Sequence, residues 1–320
     1  MMSQRQVISG SHTQSGQAVL LLCAVAATIW LGGAGLRAQQ QPTQQLTIPP
    51  RAENTNFKKE PFRMIGNIYW VGHTQIGSYL IKTPKGDILM DTTSAKEAPW
   101  VQENLEKLGI KMKDIKIMLN SHPHAEHMGG FAMFKEATGA KIVASKWTAK
   151  EMEDGGRSDF REDGSEQFKP VKVDRIVNDG DKVELGGTTL VAHLTPGHTK
   201  GCTTWTTTVE EDGKKYNVVF FCGVTAAGPD RGPLFNNPKY PNIVEDFEGT
   251  FRTLKSLPCD VFLYARATTI HMAEKEERLK RGEKPNPFID PEGCRQYIKE
   301  NEDLFQKLLG EQRAAVAKKS

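Results

Sequence analysis

The sequence predicts an α+β protein in which two mixed β-sheets pack together with helices outside. Two observations predict this. From about Phe62, short β-rich runs alternate with amphipathic helical runs, and from about Arg175 a second half repeats the scheme. The composition agrees: 38% hydrophobic and 25% charged residues suit a globular protein and exclude a disordered, collagen-like or multi-span membrane chain.

In the first half, Asn67–Val71 and Ser78–Ile81 read as strands. Pro84-Lys85-Gly86-Asp87 is a turn, and Ile88–Met90 is a strand ending at Asp91. Ala98–Leu108 carries Val101, Leu105 and Leu108 on one helical face. Ile115–Leu119 is a buried-type strand, Gly129–Ala137 a helix and Lys141–Ala144 a strand. In the second half, Arg175–Val177, Lys182–Leu185 and Thr188–Leu194 are strands separated by Gly-containing turns. Thr203–Val209 and Asn217–Phe221 flank Asp212-Gly213 as a hairpin. Ile243–Leu257 is helical, Val261–Leu263 a strand and Pro291–Leu309 the C-terminal helix.

Residues 1–38 read as an export signal. Ala18–Leu31 is an uncharged run of 14 residues, shorter than the roughly 20 needed to span a bilayer. Small residues follow, with cleavage expected after Ala38. The expected product is periplasmic or secreted, with no stable membrane insertion. The Gln- and Pro-rich stretch 39–55 reads as a linker, leaving 56–320 as the folded domain. The chain has 42 Lys+Arg against 39 Asp+Glu, a formal charge of +3. Removing Arg5 and Arg37 with the signal leaves +1, which gives no electrostatic footprint for nucleic acid. Four cysteines then remain, Cys202, Cys222, Cys259 and Cys294. In an oxidising compartment an even count suggests pairing, but spacing leaves three connectivities open.

Three of the eight histidines fall in the run Ser121-His122-Pro123-His124-Ala125-Glu126-His127, directly after the strand Ile115–Leu119. His122 and His124, two apart on extended chain, point the same way. Crowded imidazoles disfavour protonation, and the neutral form binds metal. His198, in Thr195-Pro196-Gly197-His198, also follows a strand and is the expected third imidazole. Three nitrogens with one open position make a catalytic Zn2+ site. His73 and His193, single histidines in strand contexts, are expected to be packing residues.

The runs SHPHAEHMGG and LTPGHTKGCTTW resemble the two histidine loops of the metallo-β-lactamase superfamily. The likeness extends from about Asn67 to the C-terminal helix. The stretches 236–251, 257–263 and 288–298 resemble its third subclass of zinc β-lactamases, which uses no cysteine ligand. The resemblance implies a four-layer αβ/βα sandwich, a small-molecule substrate and a Cys259–Cys294 disulfide. Cys202 and Cys222 then fall on the arms of the hairpin, where pairing stays open; they are taken as free packing residues.

Two departures stand out. Glu126 replaces the family's Asp, and Arg266 falls where its last histidine belongs, with His271 the nearest substitute. The first-zinc triad His122, His124 and His198 is intact. The second site keeps Glu126 and His127 only. The expectation is one firm zinc, with either an Arg266–Glu126 pair in place of a second or an Arg266 turned to solvent beside a weakened second site. Val224 stands where di-metal thioesterases and lactonases carry a bridging Asp, and Val224 and Ala226 lack the subclass's serine hydroxyls. Thr225, Lys200 or Arg231 are candidates for binding an anionic substrate. The expected reaction is β-lactam hydrolysis, with Glu126 orienting or deprotonating the nucleophile and Arg266 holding the substrate carboxylate or the leaving nitrogen. The alternatives are a zinc hydrolase of lactones, esters or thioesters, and an exported metal-binding homologue with weak catalysis.

Overall fold

A computed structural model describes residues 57–161, 167–226 and 232–318. The export signal, the linker and Arg231 lie outside the described residues.

Seven strands form the first sheet, in chain order: β1 (Phe62–Ile65), β2 (Ile68–Trp70), β3 (Tyr79–Ile81), β4 (Asp87–Met90), β5 (Ile115–Leu119), β6 (Lys141–Ser145) and β7 (Arg175–Val177). Its first four strands are antiparallel, and β4 to β7 are parallel. The second sheet has the order β12-β11-β10-β9-β8. It comprises β8 (Lys182–Leu185), β9 (Thr188–Leu194), β10 (Thr203–Glu211), β11 (Lys214–Phe221) and β12 (Val261–Tyr264). Both sheets are therefore mixed, as expected. One expectation is corrected: Arg175–Val177 closes the edge of the first sheet beside β6 rather than opening the second. Its three residues carry no signal of partner, because pairing across the sheet is set at long range.

Period-two burial builds the layers. On β4, Ile88 and Met90 join the larger core while Leu89 faces a second one. On β6, Val143 joins the larger core, and Ile142 and Ala144 face the second. That second core is closed by α1 (Ala98–Lys107), α3 (Phe131–Thr138) and α4 (Lys146–Asp154) through Val101, Leu105, Phe131, Phe134 and Met152. On β11, Val218–Phe221 are all buried, so this strand is covered on both faces. Helix α5 (Ile243–Ser256) contributes Ile243, Phe247, Phe251 and Leu254, one helical face, and α7 (Pro291–Ala317) contributes Phe305 and Leu309. Asp290 caps α7 by accepting from the Gly293 N–H at 2.8 Å. The helices α6 (Met272–Lys280) and α4 and the strand β1 are additions to the elements expected from sequence.

The helix expected over Gly129–Ala137 starts two residues later, as α3. A short α2 (Ala125–Met128) precedes α3, and Gly129-Gly130 joins them. A side chain on Gly129 would run into the Ala95 amide, and one on Gly130 into the Ala98 side chain, so close backbone approach demands glycine here.

Both disulfides form. Cys259–Cys294 joins the segment before β12 to the first turn of α7, with Cα atoms 6.5 Å apart. Cys202–Cys222 also pairs, at a Cα separation of 5.7 Å, which corrects the expectation of free thiols. The reason is register. Trp205 lies opposite Phe220, which brings Cys202 and Cys222 diagonally together where the hairpin arms end. Replacing both with serine is expected to lower unfolding free energy by about 2–4 kcal/mol, read by denaturant titration. An unchanged midpoint would show that the hairpin holds without the bond.

Candidate metal centre

The ends of the strands converge. His122 and His124 follow β5, His198 follows β9, Thr225 follows β11 and Arg266 follows β12. Strands β9, β11 and β12 run parallel to one another across the second sheet, so their carboxyl ends share one edge. Two cross-sheet bonds dock that edge on the end of β5: the Thr203 N–H donates to the Ser121 carbonyl at 2.9 Å, and Trp205 Nε1 donates to the Asn120 carbonyl at 3.0 Å.

The result is a cluster of His122, His124 and His198, all buried, whose candidate ligand atoms lie within 4.8 Å of one another. Their ring centroids stand 4.5, 4.7 and 4.8 Å apart. Neighbours set the ring protons. His198 Nδ1 donates to the Thr225 carbonyl at 3.1 Å, turning Nε2 to the cluster. The Ser121 hydroxyl donates to Asp91 Oδ2 at 2.7 Å, so its oxygen accepts from His122 Nδ1 at 3.1 Å. Nε2 of His122 is then a free-electron-pair donor toward the cluster. Three buried imidazoles converging from two loops are a fitting donor set for zinc.

Asp91 was not singled out in the sequence. It sits at the end of β4 with φ of 57°, a strained conformation for a side-chain-bearing residue. Its carboxylate accepts from the Ser121 N–H, the Ser121 hydroxyl and Asn120 Nδ2, tying down the histidine loop. Burial pushes its carboxyl upward, while the field of His127 and the bonds from Ser121 and Asn120 pull the other way. The available signal was an Asp ending the strand that neighbours the one bearing the loop.

His127 stands beside the cluster, 4.4 Å from His122 by ring centroids, with Nε2 3.4 Å from Glu126 Oε1. Arg266 Nη2 forms an ion pair with the same Glu126 oxygen. The Arg266 backbone is held by the loop after β2: it bridges Ile76, and its neighbours bond Gln75 and Gly77. His271 is exposed at the start of α6, outside the cluster, where its field reaches Asp290. His193 bonds Thr206 across the sheet at 2.9 Å, and burial pushes its imidazole down. His73 packs on Phe57 and Trp100. Neither belongs to the His122/His124/His198 cluster. Lys200 turns to the Lys239 carbonyl and lies between the rings of Trp147 and Tyr240, lining a cavity of about 430 Å³ behind the His198 loop. Val224 and Ala226 are buried.

Gly223 packs against the His198 ring. A Cβ there would meet Cδ2 of that ring and lie 2.7 Å from its Nε2. Gly223→Ala is therefore expected to push the imidazole aside and weaken zinc binding by about tenfold or more, with the fold retained. Wild-type affinity in a chelator competition would refute this.

The metallo-β-lactamase superfamily model matches residues 71–210. Among solved structures, the native FEZ-1 metallo-β-lactamase of Legionella gormanii is 38% identical, covering 81% of this chain and 99% of that one, with a TM-score of 0.78. BJP-1 of Bradyrhizobium japonicum, a subclass B3 metallo-β-lactamase, is 41% identical over 81% of this chain and 96% of that one, with a TM-score of 0.74. A hydroxyacylglutathione hydrolase of Hyphomonas neptunium is 35% identical over 125 residues, 38% of this chain. The match spans about two fifths of that relative's length, 40%. The chain belongs to the metallo-β-lactamase superfamily. It is a hydrolase of that fold with a buried histidine cluster that could hold a metal ion, and its solved neighbours include subclass B3 enzymes.

Proposed function

We propose that this chain is an exported, zinc-dependent β-lactamase that works with one firmly held zinc. The observation that carries the reading is the buried His122/His124/His198 cluster in a chain that spans nearly the whole length of B3 neighbours. The hydroxyacylglutathione hydrolase match is partial, and buried Val224 offers no bridging carboxylate for a second metal.

His122, His124 and His198 hold the ion. Zinc, when bound, supplies Lewis acidity and a nucleophile at neutral pH. Glu126, at the rim and about a fifth exposed, is the proton acceptor. Arg266 holds Glu126 in place through the ion pair and puts a fixed positive charge beside His127, where a second metal would otherwise be bound. A guanidinium has five donors, more than Glu126 can take, and that of Arg266 is half exposed. Its outer N–H groups are suited to a substrate carboxylate. Export follows from residues 1–38 and fits the two disulfides.

The test is zinc stoichiometry by elemental analysis beside hydrolysis of a chromogenic cephalosporin and of a glutathione thioester by the same preparation. One equivalent of zinc with cephalosporin turnover is expected. Thioester turnover without cephalosporin turnover would move the chain to the alternative hydrolases. Bound zinc with neither activity would make it a metal-binding homologue.

A further inference from the structure

His122 and His198 each bond a neutral acceptor, the Ser121 hydroxyl and the Thr225 carbonyl. His124 faces a different group. After α4 the chain turns back at Gly155, in the left-handed region with φ of 71°, and Gly156 N–H bonds the Glu151 carbonyl. That turn brings Asp159 beneath the histidine loop, 3% exposed. Asp159 Oδ2 lies 3.8 Å from His124 Nε2. The other oxygen, Oδ1, is clamped by the Arg161 N–H at 2.8 Å and Arg161 Nε at 3.0 Å. Oδ2 accepts no hydrogen bond among the described residues. A separation of 3.8 Å is too long for a hydrogen bond and too short for a bridging water, so a small ring movement closes it.

We infer that Asp159 is a positioning residue for the metal centre: its carboxylate accepts from His124 Nε2–H, turning Nδ1 to the ion, with Arg161 holding the carboxylate in place. This rests on the zinc reading above. A carboxylate behind a ligand imidazole fixes the tautomer and raises its basicity. Asp159 stands in that place behind His124. Glu151 is buried on α4 nearby. Burial, and then the charge of Asp159, push its carboxyl up to about 8, which keeps it protonated at neutral pH.

The test compares Asp159→Asn with the wild-type full chain. Zinc affinity is measured by competition with a chromophoric chelator, the cobalt(II) spectrum is recorded, and melting is followed with and without zinc. The expected result is a 10- to 100-fold loss of zinc affinity, an altered cobalt spectrum and an unchanged melting temperature of the metal-free protein. A lower metal-free melting temperature with wild-type zinc affinity would mean that Asp159 is merely structural, and would overturn the inference. Should Asp159→Asn fail to fold, Arg161→Gln leaves the carboxylate and releases its clamp. Weaker zinc binding by that variant supports the inference, and wild-type affinity overturns it. A wild-type chain that binds no zinc sinks the zinc reading itself, and with it the role of Asp159. Zinc bound equally by wild type and variant sinks the positioning role alone.

Discussion

A His122→Ala chain is expected to lose zinc affinity by more than about 100-fold and to hydrolyse no cephalosporin. Removing an outer partner of a ligand typically costs 10- to 100-fold, and removing the ligand itself costs more. His122 is central: its ring is within 4.8 Å of His124, His127 and His198 by centroid. Its Nδ1 is tied through Ser121 to the buried Asp91, so the ring is held in place before any ion arrives. Two remaining imidazoles leave an incomplete donor set. The fold should survive, because His122 sits on a loop at the strand ends and not among the apolar side chains of either core. The control is His193→Ala, whose ring bonds Thr206 outside the cluster and which should keep full zinc content. Chelator competition on both variants checks this. A His122→Ala chain with zinc affinity near wild type would remove the metal centre from the account.

An Arg266→His chain is expected to bind a second equivalent of zinc where wild type binds one. Glu126 Oε1 already lies 3.4 Å from His127 Nε2, and Arg266 Nη2 is paired to that same oxygen. A guanidinium stays protonated and cannot ligate. A neutral imidazole at this position can, and it would join His127 and Glu126 as a third donor. The backbone there is pinned by the loop Gln75–Gly77, so the new ring would start from the same Cα position. Elemental analysis reads the outcome directly. Two tightly held equivalents in wild type, or one in the variant, would show that Arg266 is not what limits the site.

Much of this was legible in the chain. Ile115–Leu119 matched its structural bounds as a short apolar run, and Thr188–Leu194 matched because alternating burial writes itself into local sequence. The loops bearing His122, His124 and His198 were legible for a related reason. Metal ligands cluster in spacing when a strand end supplies two of them. Asp159 was not legible. It lies 35 positions from His124, and no local pattern connects an acid after a helix to a ring after a strand. The Cys202–Cys222 pair was missed because an Asp-Gly turn announces a hairpin without giving its register to one residue.

The sequence by itself determined most of the elements, the three clustered imidazoles and an arginine at position 266. Only the tertiary structure decided that β7 joins the first sheet, that the four cysteines among the described residues all pair, and that Glu126 meets Arg266 across 140 positions. The reason is the range of the forces involved. Strand and helix propensity act over a few neighbours, whereas sheet order, ion pairs and disulfides depend on which distant segments the buried cores bring into contact.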